Sequence, residues 1–390
     1  MMMQPTRTAF GLWNGGRFVQ FGRKLQAEHV QQLIRKAYDG GIRTFVTADT
    51  YACGEADRLL GQALDGIPRD SYCLAGMVGH DFYHGNRSGF GGWSRFTDPA
   101  LRAPIDYTSY LEMATQHSLE LCSTCHFDLL MLHNPDSIGY TSEDVWAGLE
   151  RLRQKGMTRL LGVAPGPANG FALDLIHCFE KFGDSVDWAM LILNPLEPWP
   201  MNAVLPAAQK HNVAVMARVV ECGGLFHDDV QPEHEFSQGD HRRHRPHGWL
   251  ETGWKKLEQM RPIAERHSLT MLQLACLWTL QQPSVRSLVP TLMEEVAKPR
   301  KPIEQKMEEL AGLPTGTVLS TEELQQIDAI GDNCHCPAFS QRFKGASPLH
   351  EGSPQPDRWC MTPELEDVAN RWDIELEDLD TSLRCLKHYA

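Results

Sequence analysis

The chain has 390 residues, and 37 Lys+Arg against 50 Asp+Glu leave a net charge of −13. With no compensating Lys/Arg stripe this argues against a phosphate-backbone binder, and no apolar run approaches the ~20 residues of a membrane span. The start, MMMQPTRTAF, lacks a signal-peptide core, and 11 Cys in so long a chain read as reduced thiols, so a cytoplasmic setting is expected.

Short β-rich apolar runs alternate with longer helical patterns from residue 8 onward. A first strand is read at 10–13, then a helix at 29–38, a strand at 44–48 and a helix at 55–64. A strand at 72–78 precedes a helix at 110–122, and a strand at 127–133 precedes a helix at 142–155. Strands follow at 160–164, 188–193 and 213–219. A helix over 263–280 comes from apolar residues at i, i+3, i+4 and i+7, and a last strand is read at 287–290. Alternating units of this size predict a parallel sheet closed as an α/β (β/α)8 TIM barrel, and no strand is followed by a GxGxxG fingerprint.

A barrel of about 250 residues leaves chain over. The expected division is a barrel over 1–332, with insertions at 79–107 and 224–250, and a C-terminal extension over 333–390 packed on it. Residues 79–107 mix Gly with Phe82, Tyr83, Phe90, Trp93 and Phe96; residues 224–250 carry His227, His234, His241, His244 and His247. Loops after strands build the working face of such barrels, so both insertions are read as lids. The extension holds a capped helical pattern from Thr362.

FVTADTYACGEADRLLGQAL (45–64) resembles the second strand and helix of the aldo-keto reductases, whose pattern runs FDTAxxYGxxExxLG. FDLLMLHNPD (127–136), GMTRLLGVA (156–164), LILNPLEPW (191–199), ECGGLF (221–226), LQLACLWTL (272–280), SLVPT (287–291) and LSTEELQQID (319–328) resemble later landmarks in order. The resemblance implies the aldo-keto reductase type of barrel and NADPH-dependent carbonyl reduction. In that chemistry a tyrosine gives the proton, a Lys–Asp pair assists, and a histidine orients the carbonyl.

Carried over, the tyrosine is Tyr51 and the histidine is His133, whereas the Asp and Lys positions hold Val46 and Met77. The nicotinamide carboxamide would meet Ala164 and Pro165 in place of a Ser-Asn pair, and Met190 in place of a Gln. The ring-stacking aromatic falls on Ala217, and the Gly of the phosphate loop on Thr291, ahead of Lys298, Arg300 and Lys301. Removing both partners of a buried ion pair is far cheaper than removing one, which costs about 3–5 kcal/mol. Val46 and Met77 therefore read as a settled apolar pair. The expectation is no bound cofactor, with NADP(H) as the alternative.

Tyr51 and His133 are the expected catalytic pair, the imidazole serving as acid or base near its usual pKa of about 6.5. Arg218, where a small Ser is usual, could clamp a carboxylate or phosphate or pair with Glu221, and Asn194 and Trp93 are read beside it as substrate contacts. Asp49 reads as a surface residue and Cys53 as a structural thiol. His80-Asp81-x-x-His84 and Cys334-His335-Cys336 match no complete metal signature, so no metal is expected. The leading expectation is a redox-neutral lyase, dehydratase or isomerase acting on a small, anionic hydroxy or carbonyl compound. An NADPH-dependent reductase and a non-catalytic binding module are the alternatives; no nucleic-acid or membrane partner is expected.

Overall fold

Eight strands run parallel in one sheet of order β1-β2-β3-β6-β7-β8-β9-β10 in the computed structural model, which describes residues 4–88, 92–166, 171–297, 300–316, 318–334, 336–339 and 361–375. They are β1 Ala9–Gly11, β2 Thr44–Val46, β3 Cys73–Val78, β6 Phe127–His133, β7 Thr158–Ala164, β8 Trp188–Ile192, β9 Ala214–Arg218 and β10 Val285–Val289. A bridge from Thr8 to Leu288 joins the last strand to the first and closes the (β/α)8 barrel. The short β4 (Arg87–Ser88) and β5 (Gly92–Trp93) pair antiparallel after β3.

Side-chain alternation along the strands sorts the apolar residues into two sets. Phe45, Leu74, Leu130, Val163, Leu191, Val215 and Ala217 point out and pack with the helices. Val46, Ala75, Met77, Leu129, Met131, Ala164, Trp188, Met190, Met216 and Val289 point in and fill the barrel. Every residue of that inner set is less than 8% exposed, so the barrel is a packed core rather than a pore.

The helical ring begins with α1 (Ala27–Asp39) and α2 (Glu55–Leu64), followed by α3 (Tyr107–Leu121), α4 (Ser137–Thr141) and α5 (Glu143–Gln154). It continues with α6 (Phe171–Phe182), α7 (Leu205–Lys210), α8 (Trp249–Arg266) and α9 (Met271–Leu280). After β10 come α10 (Ile303–Ala311), α11 (Thr321–Gly331) and α12 (Pro363–Arg371). Local chemistry sets many ends. Ser142 caps α5, whose first turn holds Glu143 and Asp144 and whose last holds Arg151 and Arg153, matching the helix dipole. Ser320 and Glu323 form a capping box on α11.

The single helix expected over 263–280 is two. Ser268 adopts φ +54°, and Thr270 opens α9 with a capping box to Gln273, so the backbone turns while the apolar periodicity continues. Thr362 caps α12, as its spacing predicted. This helix packs on α6 in the outer ring, where Arg371 and Trp372 both reach the Glu180 carboxylate, at 2.6 and 2.9 Å. Among the described residues no helix is long and apolar enough to cross a membrane.

Candidate active site

The strand ends bring Tyr51 and His133 together. β6 ends at His133, which lies on the inward side with Leu129 and Met131. β2 gives way to a tight turn in which Ala52, Cys53 and Gly54 have φ of 49°, 53° and 89°, and this turn carries Tyr51 over the barrel mouth. The Tyr51 ring meets His133 edge-on at 5.9 Å and 88°, and Trp13 edge-on at 6.4 Å and 77°. Burial pushes the Tyr51 phenol up to about 12, opposed by Arg218. Burial, then Arg95, then Arg218 hold His133 down to about 3. This corrects the expected acid–base imidazole: at neutral pH both side chains are uncharged, and each can give a hydrogen bond. His133 Nδ1 is buried without a hydrogen-bond partner.

The first insertion supplies residues that the sequence reading did not assign to the site. His80 packs edge-on against His133, ring centroids 5.0 Å apart. Arg95 Nη1 donates to His80 Nδ1 at 3.0 Å and to the Trp93 carbonyl at 3.2 Å, while Arg95 Nε donates to the Asn134 carbonyl. His80 Nδ1 also lies 3.2 Å from the Trp93 carbonyl, and its Nε2 lies 3.3 Å from the Asn134 side-chain amide nitrogen. Burial and the Arg95 charge keep His80 neutral. Trp93 thus joins this group through its carbonyl. His80 was legible as a metal candidate, but it faces protein partners here. Asp81 likewise accepts from Arg102 and from the Tyr83 and His84 amides. Among the described residues no three His, Cys, Asp or Glu are arranged to hold a metal. His335, Cys360 and Cys385 lie outside the described residues.

Arg218 ends β9 on the inward side, following Met216 by two residues, and its Nη2 donates to the Pro165 carbonyl at 3.0 Å. Glu221, its candidate ion-pair partner, instead accepts from Thr291 N at 2.8 Å and feels the charge of Arg245. Asn194 is fully buried, and its two N–H donors go to the Val219 carbonyl at 3.0 Å and Glu197 at 3.1 Å. That corrects its reading as a substrate contact. It braces the turn after Arg218, where the β-branched Val219 is held at a strained φ of 57°. Asp49, expected at the surface, is 1% exposed; it faces outward between β2 and the helices, with neither carboxylate oxygen hydrogen-bonded. Desolvation raises its pKa well above the carboxylate range. Cys53 is exposed rather than buried.

The positions that the resemblance gives to the cofactor can be tested in turn. Val46, Met77, Ala164 and Met190 lie together in the inner apolar set. Ala217 belongs to the outer set and faces the helices, so it cannot be the stacking position. The inward residue there is Arg218. In the loop after β10, Thr291 N–H is taken by Glu221 and Leu292 N–H by Asn14 Oδ1, each at 2.8 Å. Arg300 pairs with Glu294 at 3.3 Å and Lys301 with Glu309 at 2.8 Å; Lys298 lies outside the described residues. The second insertion is clamped onto this loop. Arg242, about 1% exposed, bridges Asp240 at 2.8 Å and Glu295 at 2.6 Å, and His234 approaches Glu295 at 3.2 Å.

The chain matches the aldo/keto reductase family over residues 9–332. It is 24% identical over 287 residues to D-threo-aldose 1-dehydrogenase of a Pseudomonas species, covering 68% of this chain and 80% of the relative. It is 21% identical over 337 residues to an Arabidopsis thaliana protein named "Probable voltage-gated potassium channel subunit beta", covering 83% of this chain and 93% of that one. The solved glycerol dehydrogenase of Gluconobacter oxydans superposes with a TM-score of 0.66 at 23% identity, covering 85% of this chain and 92% of that structure. With eight landmark segments in order and a closed barrel to match, the chain belongs to the aldo/keto reductase family.

Proposed function

We propose that the chain is an enzyme that polarises the oxygen of a small carbonyl or hydroxy compound at the barrel mouth and carries out redox-neutral chemistry there. The observation that carries this reading is the edge-on Tyr51–His133 pair, both members held neutral, at the ends of β2 and β6. Two uncharged donors in a water-poor site are suited to a substrate oxygen that gains negative charge, and such donors contribute about 10²–10³ in rate each. Tyr51 gives its hydroxyl hydrogen bond and stays protonated at neutral pH. His133 gives a ring N–H and, at so low a pKa, stores no proton of its own. Proton movement at carbon then passes through the substrate or a bound water. Enolisation-type reactions, namely isomerisation, dehydration or elimination, fit these limits.

A bound NADP(H) would supply hydride chemistry in this family. The residues present do not fit it. Hydrocarbon and thioether groups stand at the carboxamide positions, a guanidinium stands at the stacking position, and the phosphate-loop amides are satisfied by Glu221 and Asn14. The second reading, an NADPH-dependent reductase, rests on the family match and on relatives named as dehydrogenases. At the level of the family the comparisons favour it, and none of them speaks for a redox-neutral reaction.

The test is a panel of small hydroxy and carbonyl compounds in D2O without nucleotide, followed by proton NMR. Carbon-bound hydrogen should exchange or the compound isomerise, with Tyr51→Phe slower by about 100-fold. Micromolar NADPH binding with carbonyl-dependent NADPH oxidation, abolished by Tyr51→Phe, would replace this reading with the second.

A further inference from the structure

We infer that Glu221 and Asp229 are internal anions seated in the phosphate-binding corner of this barrel, so that the ligand of the mouth places no phosphate there. The inference rests on the reading above of a mouth that works without a dinucleotide, and it names the residues that set the exclusion. Barrels of this architecture commonly hold phosphate between the loops that follow their seventh and eighth strands. Those strands are β9 and β10 here. Glu221, three residues past β9 and 1% exposed, accepts from Thr291 N, two residues past β10, at 2.8 Å. Asp229 follows on the same loop and is 5% exposed. Its Oδ2 accepts from Lys301 N at 3.1 Å and from Lys306 Nζ at 2.8 Å. Asn14 Oδ1 takes Leu292 N. Three main-chain N–H groups and one buried ammonium are thus met by side-chain oxygens of the chain itself.

A bound phosphate is held by main-chain N–H groups and a cation, and these two carboxylates use that same set of donors. Desolvation raises both carboxyls, but the Thr291 N–H and Arg245 draw Glu221 back toward the charged form, and Lys306 does so for Asp229. His227 Nε2, 2.9 Å from the Thr291 carbonyl, and Lys306 Nζ on the Met293 carbonyl tie the two loops together. An entering phosphate would have to expel a buried carboxylate, because like charges cannot share so dry a corner. The compound that meets Tyr51 and His133 is therefore one that sends no phosphate into this corner.

The test is chemical rescue in the full chain, with inorganic pyrophosphate and ADP as probes that do not turn over. Glu221→Ala and Asp229→Ala each remove an inner anion and leave its donors in place. Calorimetry should show pyrophosphate binding these variants at least about tenfold more tightly than wild type, and it should raise their unfolding temperatures. Sodium chloride at equal ionic strength should do neither. Amide NMR of wild type keeps the test open if neither variant folds: the Thr291 and Lys301 resonances should stay unmoved by pyrophosphate and by ADP. Shifts of those two resonances in wild type would overturn the assignment. So would folded variants that gain no affinity. NADPH bound at the mouth with Thr291 and Lys301 unmoved would leave the assignment standing and count against the redox-neutral reading alone.

Discussion

The barrel floor and the second insertion treat buried charge in opposite ways. On the floor, the positions of an acid–lysine pair hold Val46 and Met77, packed among Ala75, Met131 and Met190 with no charge left. Under the insertion, Arg242 is buried between Asp240 and Glu295, and Arg245 meets Glu197 at 3.1 Å. The first arrangement avoids desolvation by removing both partners; the second meets it with fork-shaped, multiply bonded arginine pairs. The contrast teaches that this chain keeps buried ions where they fasten one segment to another.

That difference is open to attack from both sides. Arg242→Met should be the most damaging change, because it strands Glu295 and Asp240 without their cation. A loss of about 3–5 kcal/mol is expected in urea unfolding. Glu295 is held near a pKa of about 2 by His234 and Arg242 against its burial, and that support goes with the arginine. Val46→Asp should cost about 3 kcal/mol by placing one charge on an apolar floor, and adding Met77→Lys should recover at least half of it. Additive costs in the double variant would show that the floor no longer accepts the pair.

Asp57 gives a smaller effect with a definite sign. Buried between the Thr47 and Ser118 hydroxyls at 2.6 and 2.5 Å, it is raised by desolvation from 3.8 to about 6. The folded state therefore holds this proton more tightly than the unfolded chain. Its contribution is full below about pH 4 and lost as pH rises through about 6, an effect of about 2–3 kcal/mol. Asp57→Asn should flatten the stability profile over that window, read by urea midpoints at pH 4, 5, 6 and 7. Arg371→Ala, which opens an exposed pair with Glu180, should change stability by less than about 1 kcal/mol.

Much of the fold was legible because periodicity survives burial. The strand at 127–133 and the helix at 55–64 were bounded to the residue. The site was less so. Tyr51 and His133 could be placed from landmarks, but aligning the last landmark through Cys222 and Gly223 put the stacking position on Ala217, one residue away from the inward Arg218. In a strand one residue reverses the face, and only the packing of Ala217 among the helices reveals the slip. Arg95 carried no signal at all, since it reaches His80 from the stretch that follows β5, whose antiparallel pairing with β4 is not written in any periodicity. Asp49 read as exposed because neighbours distant in sequence, not its own pattern, bury it.

The bond from Arg218 to the Pro165 carbonyl has one more consequence. A free arginine surrenders about 2 kcal/mol of rotamer freedom when it is pinned down. Here one edge of the guanidinium is moored in the folded chain, so most of that ordering precedes any encounter. The mouth thus presents a side chain already set in shape, with the entropy of arranging it met in folding.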